Sequence, residues 1–159
     1  MFGEGYMKFT CVFSVRDIKK SREFYENIFG LKVTENYGEN IVFDCGLTLQ
    51  QNFDILTGIP KEKIMIKSNN CEIYFEKDEF DDFVRALKFK DEIELLHDEI
   101  EQPWGQHVIR LYDPDKHLIE VGESMKIVVK RFLVNGMDID QIKQKMNITE
   151  NEIYKILIS

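Results

Sequence analysis

HVIRLYDPDKHLIEV, the stretch from His107 to Val121, decides how the chain folds. His107 to Tyr112 and Leu118 to Val121 are rich in residues that favour strands. Between them Asp113-Pro114-Asp115 is a turn signal, because proline presets φ and aspartate bonds its own neighbouring backbone. Upstream, Pro103-Trp104-Gly105 marks another turn and Ile93 to Glu101 another strand. Before that, Phe80, Phe83, Val84 and Leu87 recur at i, i+3, i+4 and i+7, the period of a helix buried on one face, and Glu72 to Phe75 makes a strand ahead of it. Strand, helix and three strands thus run from Glu72 to Gly122.

The first half has the same order. Lys8 to Val15 is a strand, and Asp17 caps a helix carrying Ile18, Tyr25 and Ile28, with Phe24 and Phe29 alongside. Gly30 ends the helix as a left-handed cap. Leu31 to Asn36, Asn40 to Asp44 and Leu47 to Gln51 follow as short strands, separated by Tyr37-Gly38-Glu39 and Cys45-Gly46. Thr10-Cys11-Val12-Phe13 aligns with Glu72-Ile73-Tyr74-Phe75, and Gly46-Leu47-Thr48-Leu49-Gln50 with Lys116-His117-Leu118-Ile119-Glu120. The expected fold is α+β: two tandem βαβββ modules, about 8–52 and 71–122, forming a shared cleft within 1–122, then a helical extension over 123–159. The Phe53 to Asn70 connection is long and carries Gly58 and Pro60. It is open to two readings, a lid or a plain linker with a short helix.

The 159 residues are 43% apolar and 31% charged, an ordinary globular composition. A net charge of −8 opposes nucleic acid binding unless a local basic patch overcomes it. Cys11, Cys45 and Cys71 lack a C-x-x-C pair and are expected as buried, reduced thiols in a reducing compartment. No signal sequence is legible in Met1 to Lys8, and no apolar run is long enough to span a membrane, so the expectation is a cytoplasmic protein.

Phe13-Ser14-Val15-Arg16-Asp17, Phe24-Tyr25, Phe29-Gly30-Leu31, Phe75, Phe80-Asp81, Trp104-Gly105 and Tyr112-Asp113-Pro114-Asp115 with His117-Leu118-Ile119-Glu120 together resemble module signatures of the vicinal-oxygen-chelate superfamily. This is the glyoxalase, bleomycin-resistance and extradiol-dioxygenase group, and the resemblance covers residues 8 to 122. It implies two metal ligands from each module, which fall by position on Thr10 and Gln50 and on Glu72 and Glu120. None of these is an imidazole, and an all-oxygen set suits Mg²⁺ or Mn²⁺. The alternative is a metal-free site in which Glu72 and Glu120 are polar lining or pair with an arginine. The resemblance also implies that Trp104, Arg110 and Tyr112 contact substrate, with His107 on the opposite strand face. His97, His107 and His117 are expected at the surface.

In the extension, helices about Met125 to Asn135, Ile139 to Met146 and Glu150 to Leu157, the last capped by Thr149, resemble a small helix-turn-helix. Glu150 and Glu152 at the groove-facing end disfavour DNA binding. The expected role is packing of Ile139, Ile142, Met146, Ile153 and Leu157 on the sheet or a partner chain. Three functions stay open: an isomerase or lyase for substrates with vicinal oxygens, in which Glu72 or Glu120 moves the proton; sequestration of an antibiotic or metabolite; and, third, a ligand-sensing regulator. A homodimer with a small-molecule ligand is expected.

Overall fold

The computed structural model describes residues 9–159; Lys8, at the expected start of the first strand, lies outside them. The chain divides into two units, one of residues up to Ser68 together with Asp113–His117, the other of Asn69–Tyr112 and Leu118–Ser159.

In the first unit, β1 (Cys11–Val15), α1 (Ile18–Phe29), β2 (Val33–Asn36), β3 (Asn40–Phe43) and β4 (Leu47–Gln51) give a sheet of order β1-β4-β3-β2. β1 and β4 are parallel and the other pairs antiparallel. A parallel pair needs a crossover, which α1, β2 and β3 supply. Asp17 starts α1 by accepting from the Lys19 and Lys20 amides, and Gly30 ends it at φ 68°, where a Cβ would be strained. Phe13, Val15, Tyr25, Ile41, Phe43, Leu47 and Leu49 are buried, each large side chain contributing about 1.5–3 kcal/mol of transfer energy. The connection after β4 holds a short helix, α2 (Phe53–Thr57), and a single 3₁₀ turn at Lys61–Lys63.

Residues 113–117 complete this unit through polar contacts. The Asp113 carboxylate accepts four hydrogen bonds: from the Asp115 amide (2.9 Å) and the His117 amide (2.8 Å) at Oδ1, and from the Tyr25 hydroxyl and His117 Nδ1 (both 2.9 Å) at Oδ2. Asp115 accepts from the Arg16 amide and Nε at Oδ1 and from the Ser21 hydroxyl at Oδ2. Asp113, Asp115, Ser21 and Tyr25 are all buried. Satisfied in this way, they avoid the cost of desolvated polar groups without partners.

In the second unit, β5 (Ile73–Lys77), α3 (Phe80–Leu87), β6 (Leu95–Glu101), β7 (His107–Tyr112) and β8 (Leu118–Glu123) repeat the order, with a sheet β5-β8-β7-β6 and β5 parallel to β8. The α3 side chains Phe80, Phe83, Val84 and Leu87 are buried, as are Ile109, Leu111, Ile119 and Val121 on the strands.

β8 runs two residues past the expected Val121, because Gly122 and Glu123 tie it to the extension. A Cβ at Gly122 would lie 2.6 Å from the Gln106 side-chain nitrogen, so glycine is required by close approach. Glu123 receives Arg131 at 2.7 Å and 3.2 Å, and Arg131 also donates to the Gly105 carbonyl. The helices α4 (Met125–Val134), α5 (Ile139–Met146) and α6 (Glu150–Ile158) bury Val128, Val129, Phe132, Ile142, Met146 and Ile153 in a core of their own, with Ile139 and Leu157 partly buried against it. The apolar residues of α5 and α6 are thus covered largely by α4, which the sequence reading left out of the packing. Capping boxes at Asp138/Gln141 and Thr149/Glu152 fix the starts of α5 and α6.

Cys11, Cys45 and Cys71 are exposed and form no disulfide among the described residues, which corrects their expected burial. Cys11 opens β1 ahead of the buried positions, Cys45 sits in the turn before β4, and Cys71 precedes β5. All three lie at or beyond element ends, where residue type alone, the basis of the expectation, does not decide burial.

Two outcomes are expected. Arg131→Met leaves the Glu123 carboxylate buried without its cation and should cost about 2–3 kcal/mol, read as a lower urea midpoint. Burial, reinforced by Asp113, holds the Tyr25 phenol well above its usual range. The unfolded chain therefore releases this proton first, and stability should fall as pH rises above about 10. Tyr25→Phe should flatten that alkaline decline while losing about 1–3 kcal/mol at neutral pH through the missing bond to Asp113, as thermal unfolding from about pH 7 to 11 would record.

Candidate ligand site on the second sheet

Strand register sets one cluster on the sheet face opposite α3. Arg110 pairs with Glu120 across β7 and β8, Glu120 with Tyr74 across β8 and β5, and His97 with Arg110 across β6 and β7. These side chains share a face because alternate residues of a strand point the same way. Arg110 Nε donates to Glu72 at 2.8 Å, and its Nη2 forms an ion pair with Glu120 Oε2. Nη1 lies 3.4 Å from His97 Nε2. Glu120 is buried, and Oε2, though in ionic contact with Arg110, has no hydrogen bond among the described residues.

Neighbouring side chains frame the cluster. The Tyr74 hydroxyl donates to Glu76 and accepts from Gln106 Nε2, and partial burial pushes the phenol up to about 12 despite the Gln106 donor, so it stays protonated. Trp104 Nε1 donates to Gln106, and the Tyr112 hydroxyl to Asn69. Trp104 and Tyr112 are thus held by Gln106 and Asn69 respectively. His107 pairs with Glu99 at 2.7 Å, partly exposed, as a surface residue.

Of the four positions expected to bind metal, Glu72 and Glu120 come together, but around a guanidinium. Thr10 donates to the Gly46 carbonyl and contacts Thr48, whereas Gln50 lies opposite Ser14, accepts from Asn40 and donates to the Gln51 carbonyl. Thr10 and Gln50 are thus separate within their unit. The two parallel pairings also correct the alignment of the modules. If Gln50 corresponds to Glu120, then Ser14 corresponds to Tyr74, and Glu72 takes the place of Val12 rather than Thr10. The slip of two residues keeps every side chain on its face, so alternation could not detect it.

The donor set does not fit a divalent ion. Arg110 occupies both carboxylates and offsets one of their two charges, and no group of three His, Cys, Asp or Glu able to hold a metal occurs among the described residues. His97, expected at the surface, was missed because β6 carries register shifts on both sides of it, and bulges cannot be counted from strand alternation. His117, also expected at the surface, is bonded to Asp113 in the first unit.

Residues 8–126 match the model of the glyoxalase-like domain family. FosB, a metallothiol transferase of Lysinibacillus sphaericus (strain C3-41), is 31% identical over 111 residues, 69% of this chain and 76% of its own length. A protein of unknown function from Agrobacterium tumefaciens str. C58 is 32% identical, with a TM-score of 0.65 over 78% of this chain and 98% of that one. A lactoylglutathione lyase from Agrobacterium tumefaciens, 22% identical with a TM-score of 0.53 over 75% of this chain and 94% of its own, shares the fold. The chain belongs to the glyoxalase-like domain family of the vicinal-oxygen-chelate superfamily.

Removing the guanidinium restores the bare pair. Arg110→Ala should lose about 1–3 kcal/mol at neutral pH. One carboxyl is then driven to keep its proton, so stability present near pH 5 should fall as pH rises toward about 8. Mn²⁺ should recover part of the loss in the variant and none in the wild type, as thermal unfolding with and without the ion would measure.

Proposed function

We propose that the protein binds a small polar organic molecule carrying neighbouring oxygens on the Arg110 face, and that its chemistry there is proton transfer without a divalent metal. The observation that carries this reading is the Arg110 guanidinium held between Glu72 and the buried Glu120 carboxylate. Glu120 takes the proton from a carbon beside a carbonyl, and Arg110 stabilises the oxyanion that forms. Return of the proton from Glu120 to the neighbouring carbon, with the hydroxyl proton of the substrate passing to the oxyanion, completes an isomerisation in which two protons have moved and no bond between heavy atoms has broken. His97 and Glu72 hold the guanidinium in place.

A second reading is thiol transfer, supported by the 31% identity to a protein named as a metallothiol transferase. Its name implies a metal, for which the donor set here is poorly suited. Sequestration without chemistry would use the same face, with Glu120 as a hydrogen-bond acceptor alone. The same proposal has the protein acting in the cytoplasm as a homodimer, which light scattering would check by mass.

The test is a panel of small hydroxy-carbonyl compounds, first scored by rise in melting temperature and then incubated with protein in D₂O. Ligands that stabilise the wild type should exchange a carbon-bound proton for deuterium. Glu120→Gln should retain stabilisation and lose exchange by roughly a hundredfold or more. Stabilisation without exchange in the wild type would assign the protein to sequestration. A metal requirement for exchange would favour the thiol-transfer reading.

A further inference from the structure

The first unit contains a cavity of about 200 Å³ at the carboxyl end of β1, and it presents a histidine that the proposed function does not use. His117 Nδ1 is bonded to buried Asp113, and its ring stacks on Phe13 with centroids 4.2 Å apart. Its position is therefore fixed by a hydrogen bond on one edge and an aromatic face on one side. The opposite edge carries Nε2, which has no partner among the described residues, and the residue lines the cavity. The Asp113 carboxylate behind Nδ1 fixes the orientation of the ring and so directs the Nε2 edge away from that bond.

The remaining lining is of two kinds: Arg16, Lys61 and Gln51 offer polar donors, and Phe53, Ile64, Met65 and Ile66 are apolar. Gln51 spends its carbonyl oxygen on the Ile18 amide, which leaves its NH₂ as a donor. Two carboxylates also line the cavity, and they are unequal. Both Asp115 oxygens are occupied, by Arg16 and Ser21, whereas Asp54 is the one lining carboxylate with no ion pair among the described residues. Met65 and Ile66 are 75% and 60% exposed, so an apolar wall faces solvent beside a group of donors.

We infer that this cavity binds a small amphiphilic monocarboxylate, its carboxylate on Lys61 and Arg16 beside the His117 ring and its hydrocarbon body on Ile64, Met65 and Ile66. The volume is below the range of about 300–1,000 Å³ typical of larger ligands, which restricts the occupant to a short acid. A phosphate dianion is excluded on chemistry, since it doubles the repulsion from Asp54 and gives the apolar wall nothing to cover.

The full-length protein is titrated with hexanoate, hexan-1-ol and inorganic phosphate, using calorimetry and the nitrogen resonances of the histidine rings. Hexanoate should bind and shift the His117 signals, with the alcohol and phosphate weaker by roughly tenfold or more. Lys61→Met, at an exposed position that leaves the fold intact, should weaken hexanoate roughly three- to fivefold. Met65→Asp should reduce binding further by placing a charge in the apolar wall. Equal binding of the alcohol, stronger binding of phosphate, unmoved His117 resonances or an unaffected Lys61→Met variant would each overturn the inference. None of these outcomes touches Arg110 or Glu120, so the reading of the second sheet stands or falls separately.

Discussion

The four hydrogen bonds accepted by Asp113 are the constraint on which the first unit depends. One buried carboxylate fixes the backbone of its own turn through two amides, the position of α1 through Tyr25 and the ring of His117. Each donor is itself held by something else. Tyr25 is packed among Phe24, Phe29 and Phe43, and His117 is stacked on Phe13. Polar and apolar contributions are coupled here, because the rings exclude the water that would compete for Asp113 and the hydrogen bonds orient the rings. An apolar residue at position 113 would leave the Tyr25 hydroxyl and two backbone amides without acceptors, a larger cost than the loss of a single bond.

The second unit handles buried charge by a different arrangement. At Arg110 one carboxylate comes from Glu72, just before β5, and the other from Glu120 on β8, and the planar guanidinium contacts both while touching His97. A planar cation with five donors suits this better than an ammonium would. At Glu123 the geometry is bidentate, with the Gly105 carbonyl as a third acceptor for Arg131. The first arrangement leaves a carboxylate oxygen with no hydrogen bond, and the second leaves neither oxygen open. The Glu123 pair ties α4 to β8.

Most of the element order was legible in the sequence, because alternation in the strands, the i, i+3, i+4, i+7 spacing of α3 and the caps at Asp17, Gly30 and Thr149 are local signals. The pairing of modules was legible only to within an even slip. Alternation reports the face and not the register, so Glu72 was set against Thr10 when the strand pairing sets it against Val12. Arg110 was singled out, while its role as counter-ion to both glutamates was only one of two alternatives, since charge pairing across strands depends on that same register. His97 and His117 carried no local signal. One requires counting bulges in β6, and the other requires knowing that the turn at Asp113 folds with residues nearly a hundred positions earlier. The cysteines misled because residue type was taken as a guide to burial at positions outside the regular elements.

The assignment of residues 113–117 to the first unit has a consequence for dissecting the molecule. A break in the Gly58-to-Asn70 connection follows the sequence repeat, but it would give an amino-terminal fragment without Asp113 and Asp115. Tyr25, Ser21 and Arg16 would then be left without their acceptors. The duplicated halves are therefore not separable pieces. Split-protein fusions or half-length expression would yield an amino-terminal piece that folds only when the missing pentapeptide is supplied in trans, whereas insertions in the exposed Ile59-to-Met65 stretch of the intact chain interrupt none of these bonds.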